Sequence, residues 1–218
     1  MSKTVSKLAL TASVVLAMAF TFSCSGDDGG GGGKEVIDTI SSTIVSYDAS
    51  GAVTGNSTIR WEYEYDSKGN RIKTFIYDAD GNRSVSEYEY DSRGNPVKEI
   101  RDGTIAFEYD CNSDGSFCTY IAYSGGDISG TGEIRYTTIN SKRLEASRTI
   151  TLSNGLVTIT EYEYDSKGNT TKLGYMKYEN HEYDSRGNVT RLTGYSQQAD
   201  GSYVKFVEQT YTYTYKTI

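Results

Sequence analysis

Histidine, proline, cysteine and tryptophan are scarce in this sequence: 218 residues contain one His, one Pro, three Cys and one Trp. Any Ser-His-Asp, Cys-His or multi-His metal site would therefore depend on His181 alone. Basic side chains are also outnumbered, since 22 Lys and Arg stand against 29 Asp and Glu and leave a net charge of -7. Nucleic-acid binding draws its affinity from Lys and Arg that neutralise phosphates. The charge balance argues against a nucleic-acid partner.

Helical periodicity is missing as well. No window of helical length after the first 23 residues repeats apolar side chains with a period of 3.6. The runs are instead dominated by β-branched and aromatic residues, and 20 residues are tyrosine. These residue types favour strands, so we predict an all-β protein.

The N-terminus has the layout of a secretory signal peptide. An uncharged, mostly apolar stretch over residues 8–22 follows two lysines and is too short to span a bilayer. The Ser23-Cys24 pair that comes next resembles the lipobox of bacterial lipoproteins, in which a small residue precedes a cysteine that becomes acylated. Residues 17–19 read Ala-Met-Ala, a competing site for ordinary signal peptidase. We predict a lipoprotein signal peptide over 1–23 and lipidation at Cys24, with the competing site as the alternative.

The segment after the cysteine is predicted to be a tether. Residues 24–35 contain two Asp and a run of five Gly, and they lack side chains that could build a core. The Asp27-Asp28 pair resembles the surface-export signal of some Gram-negative lipoproteins and is equally typical of a solvating spacer. We expect an outer-membrane lipid anchor, with a β domain over 36–218 that faces the periplasm or the cell surface.

A Tyr-Asp-x-x-Gly-Asn repeat occurs five times, and degenerate copies extend it over most of the chain. Asp can bond the backbone amides two residues on, Gly supplies a positive φ, and Asn tolerates one, so each copy predicts a hairpin turn. The predicted turn residues are Asp66, Gly69, Asn70, Asp78, Gly81, Asn82, Asp91, Gly94, Asn95, Asp165, Gly168, Asn169, Asp184, Gly187 and Asn188.

Between the turns, tyrosine alternates with glutamate or threonine, which predicts strands with one aromatic and one polar face. Sequential strands joined by short turns form an antiparallel meander. We predict about 12 strands in a sheet that is strongly curled or closed into a barrel, with the tyrosine face inward. The long alternating run over 204–215 is the natural strand to close the sheet.

The register follows from the loop length. A four-residue loop over 67–70 sets Glu64 against Lys73, whereas a three-residue loop would pair Tyr65 with Arg71 and mix the two faces, so we predict the four-residue loop. The same rule sets His181 opposite Leu192. It also predicts three further charge pairs, Glu89 with Lys98, Glu163 with Lys172 and Glu182 with Arg191.

The repeats over residues 47–215 resemble the YD repeats of the RHS family, whose long strands form hollow shells in bacterial toxins and surface proteins. This chain is far too short for such a shell. Lipobox, tether and repeats together are more similar to small Gram-negative lipoproteins of unknown function with YD-like repeats, some of which are described as porin-like in fold. That resemblance implies a barrel-like fold and brings no known catalytic residues.

Two cysteines flank a predicted turn. A two-residue Asp114-Gly115 turn would set Cys111 opposite Cys118 at about 5.5 Å between Cα atoms, and export makes oxidation plausible. We predict a disulfide, with two free buried thiols as the alternative. We predict no metal site and no cofactor.

Aromatic and acidic residues are the remaining candidates for a site. The aromatic residues are interpreted either as the core or as a ligand platform for a glycan or an extended peptide; they are Trp61, Tyr63, Tyr65, Tyr88 and Tyr90. Paired carboxylates such as Glu62 with Glu64, or Glu87 with Glu89, have the separation used by glycosidases, but their alternation with Tyr is typical of a solvated face.

These patterns predict a non-catalytic cell-envelope lipoprotein, not an enzyme. It would be held at the membrane by its lipid, and its β domain would bind a glycan, a peptide or an envelope protein or serve a structural role. The alternative is a carbohydrate-active hydrolase that uses two of the acidic residues, for which two carboxylates must converge in a pocket.

Overall fold

The computed structural model describes residues 34–218. The predicted signal peptide, Cys24 and the tether up to residue 33 lie outside the described residues. The described part consists of strands and turns. The strands are β1 Glu35–Tyr47, β2 Val53–Tyr65, β3 Arg71–Tyr77, β4 Arg83–Tyr90, β5 Pro96–Arg101, β6 Thr104–Cys111, β7 Phe117–Ser124, β8 Asp127–Ile139, β9 Lys142–Leu152, β10 Val157–Tyr164, β11 Thr170–Leu173, β12 Met176–Tyr183, β13 Val189–Gln197 and β14 Tyr203–Thr217.

Each strand pairs antiparallel with the next, and β14 returns to pair with β1, so the sheet is a closed barrel. The predicted all-β meander is confirmed, and the long final strand closes it as expected. The barrel has 14 strands, two more than expected. Reversals without the Tyr-Asp motif account for the difference, as at Asp102-Gly103, where φ angles of 47° and 80° make a tight turn.

The turns of the repeat have three-residue loops, so the predicted four-residue loop is wrong. In the first copy, the Asp66 N–H donates to the Asn70 carbonyl at 2.9 Å, and the Gly69 N–H donates to the Asp66 carbonyl at 3.0 Å. Gly69 takes a φ of 83°, which only glycine adopts at little cost. Tyr65 therefore pairs with Arg71.

A bulge directly after the turns at Asp66, Asp91, Asp165 and Asp184 restores the predicted register, whereas the turn at Asp78 has none. Tyr65 pairs with Arg71 while Glu64 still pairs with Lys73, so one residue, Ile72, is left over. The bulge returns tyrosine to one face and glutamate to the other. The other three predicted pairs are confirmed, and in each case a bulge after the turn produces the pairing. They are Glu89 with Lys98, Glu163 with Lys172 and Glu182 with Arg191.

Side chains alternate between an inner wall of tyrosine and aliphatic residues and an outer wall of charged ones. Two clusters of buried side chains occupy the interior. The larger consists of Ile37, Ile40, Tyr63, Tyr178, Val189, Leu192 and Tyr211, and the smaller of Tyr120, Ala122 and Ile134. Tyr63 lies on β2 and Tyr178 on β12, so the larger cluster joins walls that are not neighbours in the sheet.

The two ends of the barrel differ in which turns they hold. Because successive strands run in opposite directions, the turns after β2, β4, β6, β8, β10 and β12 share one end with Lys34 and Ile218. Backbone bonds between those two residues fix both chain ends there. We call this the terminal end, and the opposite one, which holds the turns after the odd-numbered strands, the distal end. Four of the five best repeats, those beginning at Asp66, Asp91, Asp165 and Asp184, lie at the terminal end.

We expect the turn aspartates to make the free energy of unfolding decrease at acid pH. Burial alone raises the pKa of Asp184, but hydrogen bonds from the Tyr215 hydroxyl, the Asn188 amide and the turn N–H groups outweigh burial and hold the pKa below its usual value. A carboxyl with a depressed folded-state pKa contributes stability above its unfolded pKa and loses it as pH falls through the folded value. The urea concentration at the unfolding midpoint should be constant from pH 7 to about pH 5 and should decrease as the pH falls below about 4.

Asp184→Asn should lower stability at pH 7 and make the loss in acid shallower than in the unmodified chain. The control is Asp80→Asn, which changes an exposed residue of a distal turn and should leave the acid profile unchanged. If Asp184→Asn kept the full acid-dependent loss, the turn would not be the source of that dependence.

Candidate functional site

The predicted aromatic platform lines the inside of the barrel. Tyr63 is buried in the larger interior cluster, and Trp61 and Tyr65 pack against that cluster. Tyr88 lies on the same wall, and the Tyr90 hydroxyl donates to the Arg71 carbonyl at 2.8 Å. The five residues thus belong to one surface, and that surface faces inward.

Arg71 lies among these tyrosines. Its guanidinium carbon is 5.5 Å from the Tyr63 ring centroid and 5.0 Å from that of Tyr88. Burial raises the pKa of Tyr90 to about 12, so that neighbouring phenol is neutral at pH 7. The cation is therefore stabilised by ring faces, an arrangement that is favourable when water is excluded.

Two buried glutamates were not singled out by the sequence, and each is neutralised by an arginine. Glu99 accepts from Arg101 Nε at 2.7 Å, and Glu145 accepts from Arg148 Nε at 3.1 Å. The Glu145 side chain is only 6% exposed. The Tyr109 hydroxyl lies 3.4 Å from Glu99.

The predicted register was sufficient to indicate that Glu99 faces inward. If Lys98 faces outward opposite Glu89, the next residue, Glu99, must face inward. No such signal existed for Glu145, because the turn between β8 and β9 lacks the repeat that fixed the register elsewhere.

The outer glutamates proposed for hydrolysis have basic neighbours instead of a shared pocket. Glu62 lies 2.5 Å from Arg60 Nη1, Glu87 lies 3.2 Å from Lys73 Nζ, and Glu89 lies 3.7 Å from Lys98 Nζ. The oxygens of these glutamates therefore lie in exposed ion pairs along the outer wall.

Asparagines of the repeat pack into the terminal end. Asn95, Asn169 and Asn188 are buried, whereas Asn82, the asparagine of the distal copy, is exposed. Asn95 Oδ1 accepts from Arg143 Nη1 at 3.0 Å, which links the β4–β5 turn to β9. Asn188 Nδ2 donates to the Tyr215 hydroxyl at 2.7 Å. The same motif therefore ties elements together at one end and only reverses the chain at the other.

Cys111 and Cys118 are joined by a disulfide with 4.0 Å between Cα atoms. The turn between them is not the predicted two-residue turn. Asn112 N–H donates to the Phe117 carbonyl at 3.0 Å, which encloses a four-residue loop, 113–116. The two cysteines still lie opposite each other, one residue beyond Asn112 and Phe117 on each strand.

His181 does not occupy its predicted position. Asn180 pairs with Leu192 and Glu182 pairs with Arg191, so a second bulge, on β12, leaves His181 without a partner in the ladder. Its ring is exposed, and Nε2 lies 2.8 Å from Thr193 Oγ1. The prediction failed because it did not include the bulge.

Residues 34–218 contain no group of three or more His, Cys, Asp or Glu side chains that could hold a metal ion. No helix in this part of the chain is long and apolar enough to cross a membrane.

Exposed apolar side chains concentrate at the distal end. Most of the exposed large hydrophobic residues lie in distal turns or within three residues of them, on strands that begin there. They are Val53, Ile105, Ile128, Leu156, Val157, Ile159, Tyr175 and Tyr203. Ile159 is 64% exposed, and Tyr175 is 62% exposed. We call these eight residues the distal apolar rim, which sequence reasoning missed because it requires knowing which turns share an end.

The two interior arginines should respond differently to removal. Arg148→Met leaves Glu145 buried without its partner and should cost about 3 kcal/mol or more in the free energy of unfolding. Arg71→Met removes a cation that is held by rings and should change stability by less than about 1 kcal/mol, since methionine also packs well on aromatic rings. Urea unfolding at pH 7 measures both values, and equal losses would contradict this account of the interior.

Comparisons with known proteins extend over different parts of the chain. A family described as a protein of unknown function, DUF2963, matches residues 55–101, which run from β2 to the end of β5. A search of the curated proteins finds no match.

Among solved structures, a porin-like protein from Bacteroides uniformis is 12% identical, with a TM-score of 0.49 over 82% of this chain and 98% of its own. The TcdB2-TccC3-Cdc42 structure is 14% identical over 81% of this chain, with a TM-score of 0.29. The Tc holotoxin pore of Photorhabdus luminescens is 13% identical over 73% of this chain, with a TM-score of 0.27. This chain spans 10% of each of those two chains. These similarities are distant, so the barrel's function has to be argued from its own residues.

Proposed function

We propose that this chain is a non-catalytic, lipid-anchored protein of the cell envelope whose barrel presents a protein-binding surface at its distal end. The observation that carries the proposal is the separation of the two ends. The chain enters the barrel at the terminal end, through Lys34, while the distal apolar rim lies at the other.

The outer wall of the barrel favours attachment to the membrane through a lipid rather than through membrane-spanning strands. A membrane-spanning barrel presents an apolar band to lipid and a polar interior. This barrel has the reverse arrangement, with tyrosines inside and ion pairs such as Lys172–Glu163 and Arg191–Glu182 on its outer wall. Such a wall is suited to water, and Cys24 would then supply the anchor.

The composition of the rim favours a protein partner over a glycan. Six of its eight members are Val, Ile or Leu, which bury area against an apolar protein surface, whereas sugar rings stack on exposed aromatic faces. The predicted aromatic platform, which would suit a glycan, faces the interior. A hydrolase is disfavoured because the buried carboxylates of Glu99 and Glu145 are each bound by an arginine.

The anchor and the binding surface are tested in the natural host of the protein. Metabolic palmitate labelling of the full chain should be present in the unmodified protein and lost in Cys24→Ala. Protease treatment of intact cells distinguishes a cell-surface barrel, which is degraded, from a periplasmic one, which is protected. Absence of label in both forms would contradict the lipid anchor.

A photoreactive amino acid placed at Ile159, in the rim, should form an adduct of one discrete mass with another protein. The matched control is Val97, an exposed apolar residue of β5 near the terminal end, where no such adduct should form. Equal adducts at both positions, or none at Ile159, would contradict a distal binding surface.

A further inference from the structure

One position of the repeat differs in charge between the two ends of the barrel. It is the turn residue directly before the glycine. In the four turns of the repeat at the terminal end these residues are basic, and they are Lys68, Arg93, Lys167 and Arg186. The β6–β7 turn at the same end differs, since Asp114 precedes Gly115 there and Gly115 has a φ of 69°. At the distal end, the corresponding residues are neutral or acidic, and they are Ser50, Asp80, Asn154 and Asp200. All eight share the same turn geometry, because each following glycine has a φ between 81° and 84°.

The basic residues are presented outward, while the acidic residues of the same turns are not. Lys68 and Arg93 are exposed, whereas Asp66 and Asp91 are half-buried. The Asp91 carboxylate accepts from the Arg93 and Asn95 N–H groups and from Asn95 Nδ2. The negative charge is therefore directed into the turn, and the positive charge extends beyond it.

Two of the four basic side chains have partners that hold them at the rim of the terminal end. Lys167 Nζ lies 3.6 Å from the centre of the Tyr183 ring. Arg186 pairs with Glu35 and lies over the Tyr215 ring. Within residues 34–218, neither Lys68 nor Arg93 has a carboxylate of another side chain within salt-bridge distance. The turns that follow β2, β4, β10 and β12 thus place a cation at four points around this end.

The distal end has the opposite character. Acidic residues occupy its turns and are exposed, among them Asp48, Asp78, Asp80 and Asp200. An anionic surface would therefore attract the terminal end and repel the distal one, although the chain as a whole is acidic.

We propose that the terminal end of the barrel lies against the anionic headgroups of a lipid bilayer. The inference rests on the proposed lipid anchor in one respect. Lys34 lies ten residues after Cys24, so the terminal end can be at most about 35 Å from an acylated cysteine. The anchor keeps the basic turns close to the headgroups, and their charge sets the orientation that points the distal apolar rim away from the membrane.

The test uses the exported full chain carrying Cys24→Ala, so that no acyl chain contributes to binding. Co-sedimentation is measured with vesicles of phosphatidylcholine alone and with vesicles in which one third of the lipid is phosphatidylglycerol. Binding to the anionic vesicles is expected, and it should weaken steeply as salt is raised above about 0.1 M. Each Lys or Arg near such a surface contributes about fivefold to partitioning.

The decisive variant is Lys68→Gln with Arg93→Gln and Lys167→Gln, which should lower binding by about 100-fold. Its matched control makes the same change in net charge, three units more negative, at the distal end through Ala49→Asp, Asn154→Asp and Ala199→Asp. This control should bind like the parent chain. All three altered residues of the control are exposed and lie in turns.

Three outcomes would overturn the proposal. They are equal binding to neutral and anionic vesicles, no binding to either, and an equal loss in the variant and its control. Because this test omits the acyl chain, it can fail while palmitate labelling at Cys24 succeeds, so failure of this inference is distinguishable from failure of the proposed anchor.

Discussion

The pairing of β1 with β14 is the constraint on which the rest of the structure depends. An open meander of this length would leave two edge strands with unpaired N–H and C=O groups. Closure removes both edges and gives the sheet an inside and an outside. Once that distinction exists, the period-2 alternation of each strand assigns each side chain either to the inner wall or to the outer wall. The interior clusters, the buried Glu145–Arg148 pair and the charged outer wall all follow from that assignment.

The repeated turn maintains the alternation around the barrel. A three-residue loop by itself pairs Tyr65 with Arg71, and the bulge after it returns Glu64 to a position opposite Lys73. The same turn serves two ends differently. At the terminal end three of its four asparagines are buried and its basic residue is exposed, whereas at the distal end the asparagine of the complete copy, Asn82, is exposed. One sequence motif therefore produces a barrel whose ends differ in charge and in exposed apolar area.

The alternation of Tyr with Glu predicted the all-β class and the inward aromatic face, because those depend on period 2 alone. The four charge pairs were predicted from the assumed loop length. The loop length was wrong because a four-residue loop and a three-residue loop with a bulge give the same pairs beyond the turn. His181 was misplaced because a second bulge lies between Asn180 and Glu182 on β12, outside the repeated turn. Which turns lie together at each end of the barrel was not predicted. Assigning a turn to an end requires every reversal to be counted, and Asp102-Gly103 and Gly174-Tyr175 lack the repeat.

Closure of the barrel is tested most directly by a cross-link between β1 and β14. Thr43 and Thr210 are both exposed and directly opposite each other across that seam. In a Cys24→Ala background, Thr43→Cys with Thr210→Cys should oxidise to an intramolecular disulfide that a gel shift detects. Thr43→Cys with Thr214→Cys, displaced by about 14 Å along the strand, should not. A closed barrel predicts a cross-link in the first pair alone, and no cross-link in either pair would contradict closure.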